Sequence, residues 1–107
     1  MEDSSHAFSL QVRGNEGNLT FYLTGVLDIK KGKTLWEEVM KVEDSCKAVI
    51  LNLSDVRIIS SGGLSMIVDI AKFLEDQKVQ FKLTQPSEMV LRTLKFVHID
   101  KIVTIET

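Results

Sequence analysis

The chain has 107 residues, of which 44% are hydrophobic and 26% are charged, and its net charge at pH 7 is −2. This length suits one domain with one hydrophobic core, and the composition excludes an intrinsically disordered chain. The small acidic net charge argues against a general affinity for nucleic acid or anionic membranes.

The first half of the chain predicts a β-hairpin followed by a helix. Residues 8–13 and 19–27 alternate apolar and polar side chains, and a Gly/Asn cluster between them indicates a turn. We therefore expect an antiparallel hairpin at the edge of a sheet. Apolar residues then recur at helical spacing, which predicts a helix over about 32–43. Trp36 on this helix is expected to cover the core rather than to anchor a partner.

The middle of the chain predicts a buried strand, a link and a second helix. The continuous apolar run at 47–53 is typical of a central strand covered on both faces. Residues 54–59 are predicted to form a short link, and helical periodicity runs from 61 to 74.

The last third predicts a strand at 79–84, a helix that begins after the N-cap Ser87, and a strand at 101–106. His98 is expected to end that helix in a left-handed conformation rather than to bind a metal. The predicted fold is an α/β sandwich with a mixed sheet and the element order β-β-α-β-α-β-α-β. We expect one domain over 8–107, preceded by a flexible N-terminus at 1–7.

The cysteine count and the ends of the chain limit its location and chemistry. One cysteine, Cys46, cannot build an internal disulfide, and no Cys/His group has zinc-ligand spacing, so neither a metal nor a cofactor is expected. The acidic N-terminus has no signal-peptide character, and no apolar run is long enough to cross a membrane. We expect a cytoplasmic domain, or one module of a longer protein, without direct membrane insertion.

Three fragments of the sequence together resemble the STAS family, the bacterial anti-sigma factor antagonists and their relatives. They are GVLD at 25–28, VILNLSDVRIISSGGLSMI at 49–67 and QPSEMVLRTLKFVHIDKIVTI at 85–105. Each is a weak signal alone, but their order and spacing match the family from residue 8 to residue 106. The resemblance implies a STAS fold and a protein-binding domain without catalysis of its own.

In the switching members of this family, a serine in the motif Asp-Ser-Ser-Gly-Leu is phosphorylated by a cognate anti-sigma factor kinase. The unphosphorylated domain captures the anti-sigma factor and frees the sigma factor, and the phosphate breaks that capture. When Gly63 and Leu64 are aligned with the motif's Gly-Leu, Ser60 takes the place of the aspartate and Ser61 that of the first serine. Gly62 then occupies the position of the phosphorylated serine. The resemblance implies Ser61, and less strongly Ser60, as the phosphorylation candidate.

The physical chemistry of a strand-to-helix turn agrees with these residue types. A serine hydroxyl at the N-cap accepts a hydrogen bond from an otherwise unpaired N–H group, and glycines let another backbone approach closely. The helix N-terminus tolerates an anion, whereas a phosphate adds charge and bulk that would disrupt a flush contact with a partner. The turn is therefore either a structural cap or a partner-binding site.

The predicted helix at 61–74 has a wider apolar surface than one packed face needs. One stripe suits the core, and beside it Met66, Ile70 and Phe73 form a flanking arc. The arc either packs against a neighbouring helix, or exposes Met66 and Phe73 as part of a docking surface. Asp28, at the end of GVLD, is expected beside the turn, either as a helix cap or as a partner contact.

Two functions from different classes remain after enzymes are set aside, because no nucleophile–base pair and no phosphate-binding loop is present. The first is an anti-sigma factor antagonist that binds an anti-sigma factor of the serine kinase type. The predicted partner-binding residues are Asp28, Ser60, Ser61, Gly62, Gly63, Met66 and Phe73. The alternative is a non-switching STAS domain that acts as a scaffold in a signalling assembly or as the soluble subunit of a phospholipid-transport complex. A homodimer is compatible with both.

Overall fold

The computed structural model describes residues 8–15, 17–41 and 46–107. The predicted flexible segment at 1–7 lies outside the described residues. In the described part, the elements follow the predicted order: β1 (Phe8–Asn15), β2 (Asn18–Leu27), α1 (Ile29–Met40), β3 (Ala48–Ile59), α2 (Ser61–Asp76), β4 (Gln80–Thr84), α3 (Glu88–Phe96) and β5 (Thr104–Glu106). A short 3₁₀ helix, Ile99–Lys101, precedes β5.

The five described strands form one mixed sheet in the order β1-β2-β3-β4-β5. β1 and β2 are an antiparallel hairpin, and β1 lies at the edge, as predicted. β2, β3, β4 and β5 are parallel to one another and lie in chain order, so every crossover moves in the same direction along the sheet. Right-handed crossovers in one direction place α1, α2 and α3 on the same face.

The sheet therefore has one covered face and one open face. Leu51 and Leu53 of β3 are fully buried in a single core cluster that also takes residues from all three helices. Between them on the strand, Ile50 and Asn52 are only half-buried. The prediction that this strand is covered on both faces is wrong, because no described helix lies over the second face.

β3 is longer than predicted. Residues 54–59, predicted as a link, continue the strand and pair with the second half of β2. Val56 and Ile59 are buried, which explains why the strand continues. Two register shifts in this pairing bend the strand locally and interrupt the apolar alternation that would have indicated it from the sequence.

The helix ends are set by side-chain caps. α1 begins at Ile29, three residues earlier than predicted, and its predicted end at 43 lies outside the described residues. The Ser87 hydroxyl accepts the Val90 N–H at 3.2 Å and caps α3, as predicted. His98 is left-handed at φ 65° and terminates α3, also as predicted. The last strand starts at Thr104 rather than 101, because residues up to Lys101 belong to the 3₁₀ helix, in which Ile99 is buried.

No helix in the described segments is both long and apolar enough to cross a membrane.

Candidate functional site

The turn from β3 into α2, here called the 60–63 turn, is fixed by Ser60. Its hydroxyl accepts the Gly63 N–H at 3.3 Å, and its extended backbone makes it the N-cap of α2. Its own N–H donates to the Leu27 carbonyl at the end of β2, at 2.9 Å. The Ser60 hydroxyl therefore has a structural role, as a capping serine does.

Ser61 is the first residue of α2 and is exposed to solvent. Its hydroxyl makes no hydrogen bond with any other described residue. It stands at the positive end of the α2 macrodipole, where an added anion is favoured. Ser61 is thus the more accessible of the two serine hydroxyls in this turn.

Gly62 and Gly63 are required by close packing against the end of β2 and the start of α1. A Cβ atom on Gly62 would lie 2.5 Å from the Cβ of Ile29 and 3.0 Å from its Cα and N. A Cβ on Gly63 would overlap the Leu27 carbonyl. A side chain at position 62, where the resemblance implies the phosphorylated serine, would therefore overlap Ile29.

Asp28 lies next to the 60–63 turn, as the sequence predicts. Its carboxylate accepts the Lys31 N–H at 2.9 Å, and the residue is half-buried at the N-cap of α1. The capping interpretation of Asp28 is therefore confirmed. The N-termini of α1 and α2 lie side by side at the carboxyl ends of β2 and β3, which gives this edge of the sheet two neighbouring capped helix starts.

Two exposed isoleucines flank this edge, and the sequence reasoning missed both. Ile29 is 47% exposed at the start of α1, and Ile58 is 48% exposed near the end of β3. Local alternation carried no signal for Ile58, because Val56 and Ile59 are both buried and a register shift in the pairing with β2 separates them. For Ile29, the signal was its position directly after a capping aspartate.

Met66 is buried, with 9% of its surface exposed, so its predicted exposure is wrong. The reason lies on α1, where Gly32 has no side chain. A Cβ on Gly32 would lie 2.6 Å from Cγ of Met66, so the two helices approach closely at this point and enclose the methionine. The helix-packing interpretation holds for Met66, and for Ile70, which is fully buried.

Phe73 is half-buried and lies away from the turn, on the later part of α2. It contacts Trp36 of α1 edge-to-face, with ring centroids 5.4 Å apart and planes at 68°. Both rings pack against the core, so Trp36 covers the core as predicted. They also line a groove of about 640 Å³ between the two helices, here called the α1–α2 groove, together with Met66 and the charged residues Lys33, Glu37, Asp69 and Lys72.

Comparison with solved structures identifies close neighbours of this fold. A crystal structure of a putative anti-sigma factor antagonist from Thermotoga maritima is 26% identical, with a TM-score of 0.82 over 92% of this chain and 86% of that one. An anti-sigma factor antagonist from Mycobacterium paratuberculosis is 19% identical, with a TM-score of 0.82 over 98% and 90% of the two chains. The phosphorylated form of the Bacillus cell fate determinant SpoIIAA is 16% identical, with a TM-score of 0.72 over 92% of each chain.

No curated protein matches the sequence at a significant level. The STAS domain family matches it over residues 9–107, which includes every described element from the second residue of β1 onward. The parallel strands and the three helices agree with that match. The chain belongs to the STAS domain family.

Proposed function

We propose that this domain is an anti-sigma factor antagonist that captures an anti-sigma factor of the serine kinase type through the 60–63 turn. The observation that carries the proposal is the exposed Ser61 hydroxyl at the start of α2, next to the capped start of α1. The exposed side chains of Ile29 and Ile58 give this edge an apolar component that a protein partner would bury. Binding of this kind needs no catalytic group on the domain, and we place it in the cytoplasm of a bacterium.

Several observations support Ser61 as a phosphorylation site that switches the capture. The Ser61 side chain is free of the capping bond that occupies Ser60. SpoIIAA, a structural neighbour, has been solved in unphosphorylated and phosphorylated forms. A phosphate on Ser61 would be stabilised by the α2 macrodipole, so the fold would tolerate it. Its charge and bulk would still prevent close contact between this edge and a partner.

The non-switching alternative is favoured by Gly62. The position of the family's phosphorylated serine cannot hold a side chain without a shift of Ile29. In that case the same edge would bind a partner permanently, in a signalling scaffold or in a phospholipid-transport complex.

Phosphorylation assays with the serine kinase anti-sigma factors of the source organism distinguish the two functions. The purified domain is incubated with each kinase and ATP, and the phosphate is mapped by mass spectrometry. We expect phosphate on Ser61, lost in Ser61→Ala and retained in Ser60→Ala. Absence of phosphate at every kinase concentration, together with normal binding to one of these proteins, would exclude the switch and support the alternative.

Binding is tested separately by calorimetry with the same anti-sigma factors. Ser61→Glu should weaken binding by roughly tenfold or more, because a carboxylate imitates part of the phosphate charge. Its melting temperature should stay close to that of the wild type, because Ser61 makes no hydrogen bond with a described residue. If none of these proteins binds the wild-type domain, the proposed capture is wrong.

A further inference from the structure

The α1–α2 groove combines an aromatic floor with an unpaired charged rim. Trp36 and Phe73 are half-buried at its floor. The rim carries one lysine and one carboxylate on each wall: Lys33 and Glu37 on α1, Asp69 and Lys72 on α2. All four are exposed, and none forms an ion pair or side-chain hydrogen bond with another described residue.

The four charges alternate in sign around the groove. α1 and α2 run in the same direction, because each returns between parallel strands. The contacts Gly32–Met66 and Trp36–Phe73 set their relative height. Lys33 and Asp69 therefore stand across from each other towards the N-terminal ends, and Glu37 and Lys72 about one turn further on. From the N-terminal end, the charge on α1 is first positive and then negative, and the charge on α2 is first negative and then positive.

This pattern is complementary to itself under a two-fold rotation. If the two copies face each other across their grooves and the two-fold axis that relates them is parallel to the helices, each Lys33 meets the other copy's Asp69. If the two-fold axis is instead perpendicular to the helices, in the plane of the interface, each Lys33 meets the other copy's Glu37. In both arrangements Lys72 also meets an opposite charge, so all contacts are attractive. We propose that a second copy of this chain docks on the α1–α2 groove and forms a two-fold homodimer.

The energetics favour a weak dimer. Trp, Phe and Met are enriched at interface centres, and the Trp36 and Phe73 rings retain exposed surface that a second copy would cover. Exposed ion pairs each add little, but their alternation fixes the register of the two copies and disfavours other arrangements. A face made of two helices of 12 and 16 residues lies at the small end of protein interfaces. We therefore expect micromolar affinity, independent of any anti-sigma factor.

The test measures self-association by sedimentation velocity from low micromolar to near-millimolar concentration. The wild type should move from one 12.1-kDa chain towards twice that mass. Trp36 is the only tryptophan in the sequence, so its fluorescence should shift to the blue over the same range. A wild type that remains monomeric throughout would overturn the proposal and leave the proposed anti-sigma binding unaffected.

Two charge variants make the test specific to the groove. An acidic variant carries Lys33→Glu and Lys72→Glu, and a basic variant carries Glu37→Lys and Asp69→Lys. Each should lose self-association by roughly tenfold or more, because all four rim contacts become repulsive. An equimolar mixture of the two should form a 1:1 heterodimer. If either variant dimerises like the wild type, or if the mixture stays monomeric, this groove is not the interface.

A matched control carries the same change of charge elsewhere. Lys30→Glu and Lys95→Glu alter exposed lysines that do not line the groove. This double variant should dimerise like the wild type, and loss of its dimer would attribute the effect to net charge and overturn the proposal. Circular dichroism on all variants confirms that each is folded, and Phe73→Leu provides a second groove variant of unchanged charge that should also weaken the dimer.

Discussion

At Gly62, a side chain on the neighbouring helix α1 determines which residue fits at this position. The atom that would clash with a Gly62 side chain is the Cβ of Ile29, on the first residue of α1. The two positions are far apart in sequence and are brought together by the parallel pairing of β2 and β3. A serine at position 62 would therefore have to displace Ile29.

Gly62→Ser should destabilise the domain by about 1–3 kcal/mol, the usual range for overpacking. In the background of Ile29→Gly, which removes the nearest atom, the same substitution should cost at least about 1 kcal/mol less. Urea unfolding of the wild type, both single variants and the double variant gives this coupling energy. A coupling near zero would show that Ile29 does not exclude the side chain.

Substitution of the two adjacent serines of the turn should change the stability of the domain by different amounts. Ser60→Ala removes the cap on the Gly63 N–H and should cost about 0.5–2 kcal/mol. Ser61→Ala removes a hydroxyl with no described partner and should change the free energy of unfolding by less than about 0.5 kcal/mol. Thermal and chemical denaturation compare the pair directly, and equal losses would contradict the cap assignment.

One of the close contacts between the helices α1 and α2 is made by a glycine and a methionine. Gly32 is buried within α1 and leaves the space that Met66 fills. Met66 lines the groove at the end nearer the helix N-termini. Further along, Trp36 and Phe73 contact each other and form the accessible floor of the groove.

Gly32→Ala should destabilise the wild type by about 1–3 kcal/mol, because the new methyl group overlaps the Met66 side chain. In Met66→Gly, which removes both the Cγ at 2.6 Å and the Cβ at 2.8 Å from the new methyl group, the same substitution should be neutral or stabilising, since alanine is favoured over glycine within helices by up to about 1 kcal/mol. Stability measurements on this four-member set test the contact. The interpretation fails if Gly32→Ala is equally costly in both backgrounds.

The whole molecule is a sheet with all three described helices on one side. Leu51 and Ile50 are neighbours on the same strand but face opposite sides, and only Leu51 lies in the core. The open side is held by strand pairing and by polar contacts such as the Lys82–Glu106 ion pair at 3.1 Å.

Leu51→Ala should therefore cost about 2–5 kcal/mol, as is usual for a buried leucine. Ile50→Ala should cost clearly less, about 1 kcal/mol, because Ile50 is only partly buried and loses less apolar contact on truncation. Guanidinium unfolding of both variants provides the comparison. Equal costs would mean that the second face is covered as completely as the first.

Local signals in the sequence predicted the helices and strands, but not every strand length or which side chains are buried. Ser87, His98 and Asp28 were predictable because capping depends on residues within one turn of each other. The length of β3 was not, because it depends on a partner strand and on bulges that interrupt alternation. The burial of Met66 was not predictable either, because it depends on the missing side chain of Gly32 on another helix. At the site, the turn and its serines were predictable, whereas Ile29 and Ile58 required knowledge of which strand ends lie together.

The Leu27 carbonyl has a consequence for the kinetics of binding. It accepts the Ser60 N–H and lies directly beneath Gly63, so the end of one strand holds the start of the neighbouring helix in place. A surface that is already ordered loses little conformational entropy when a partner arrives. Association should then follow a single exponential whose observed rate rises linearly with partner concentration, without a slow rearrangement phase.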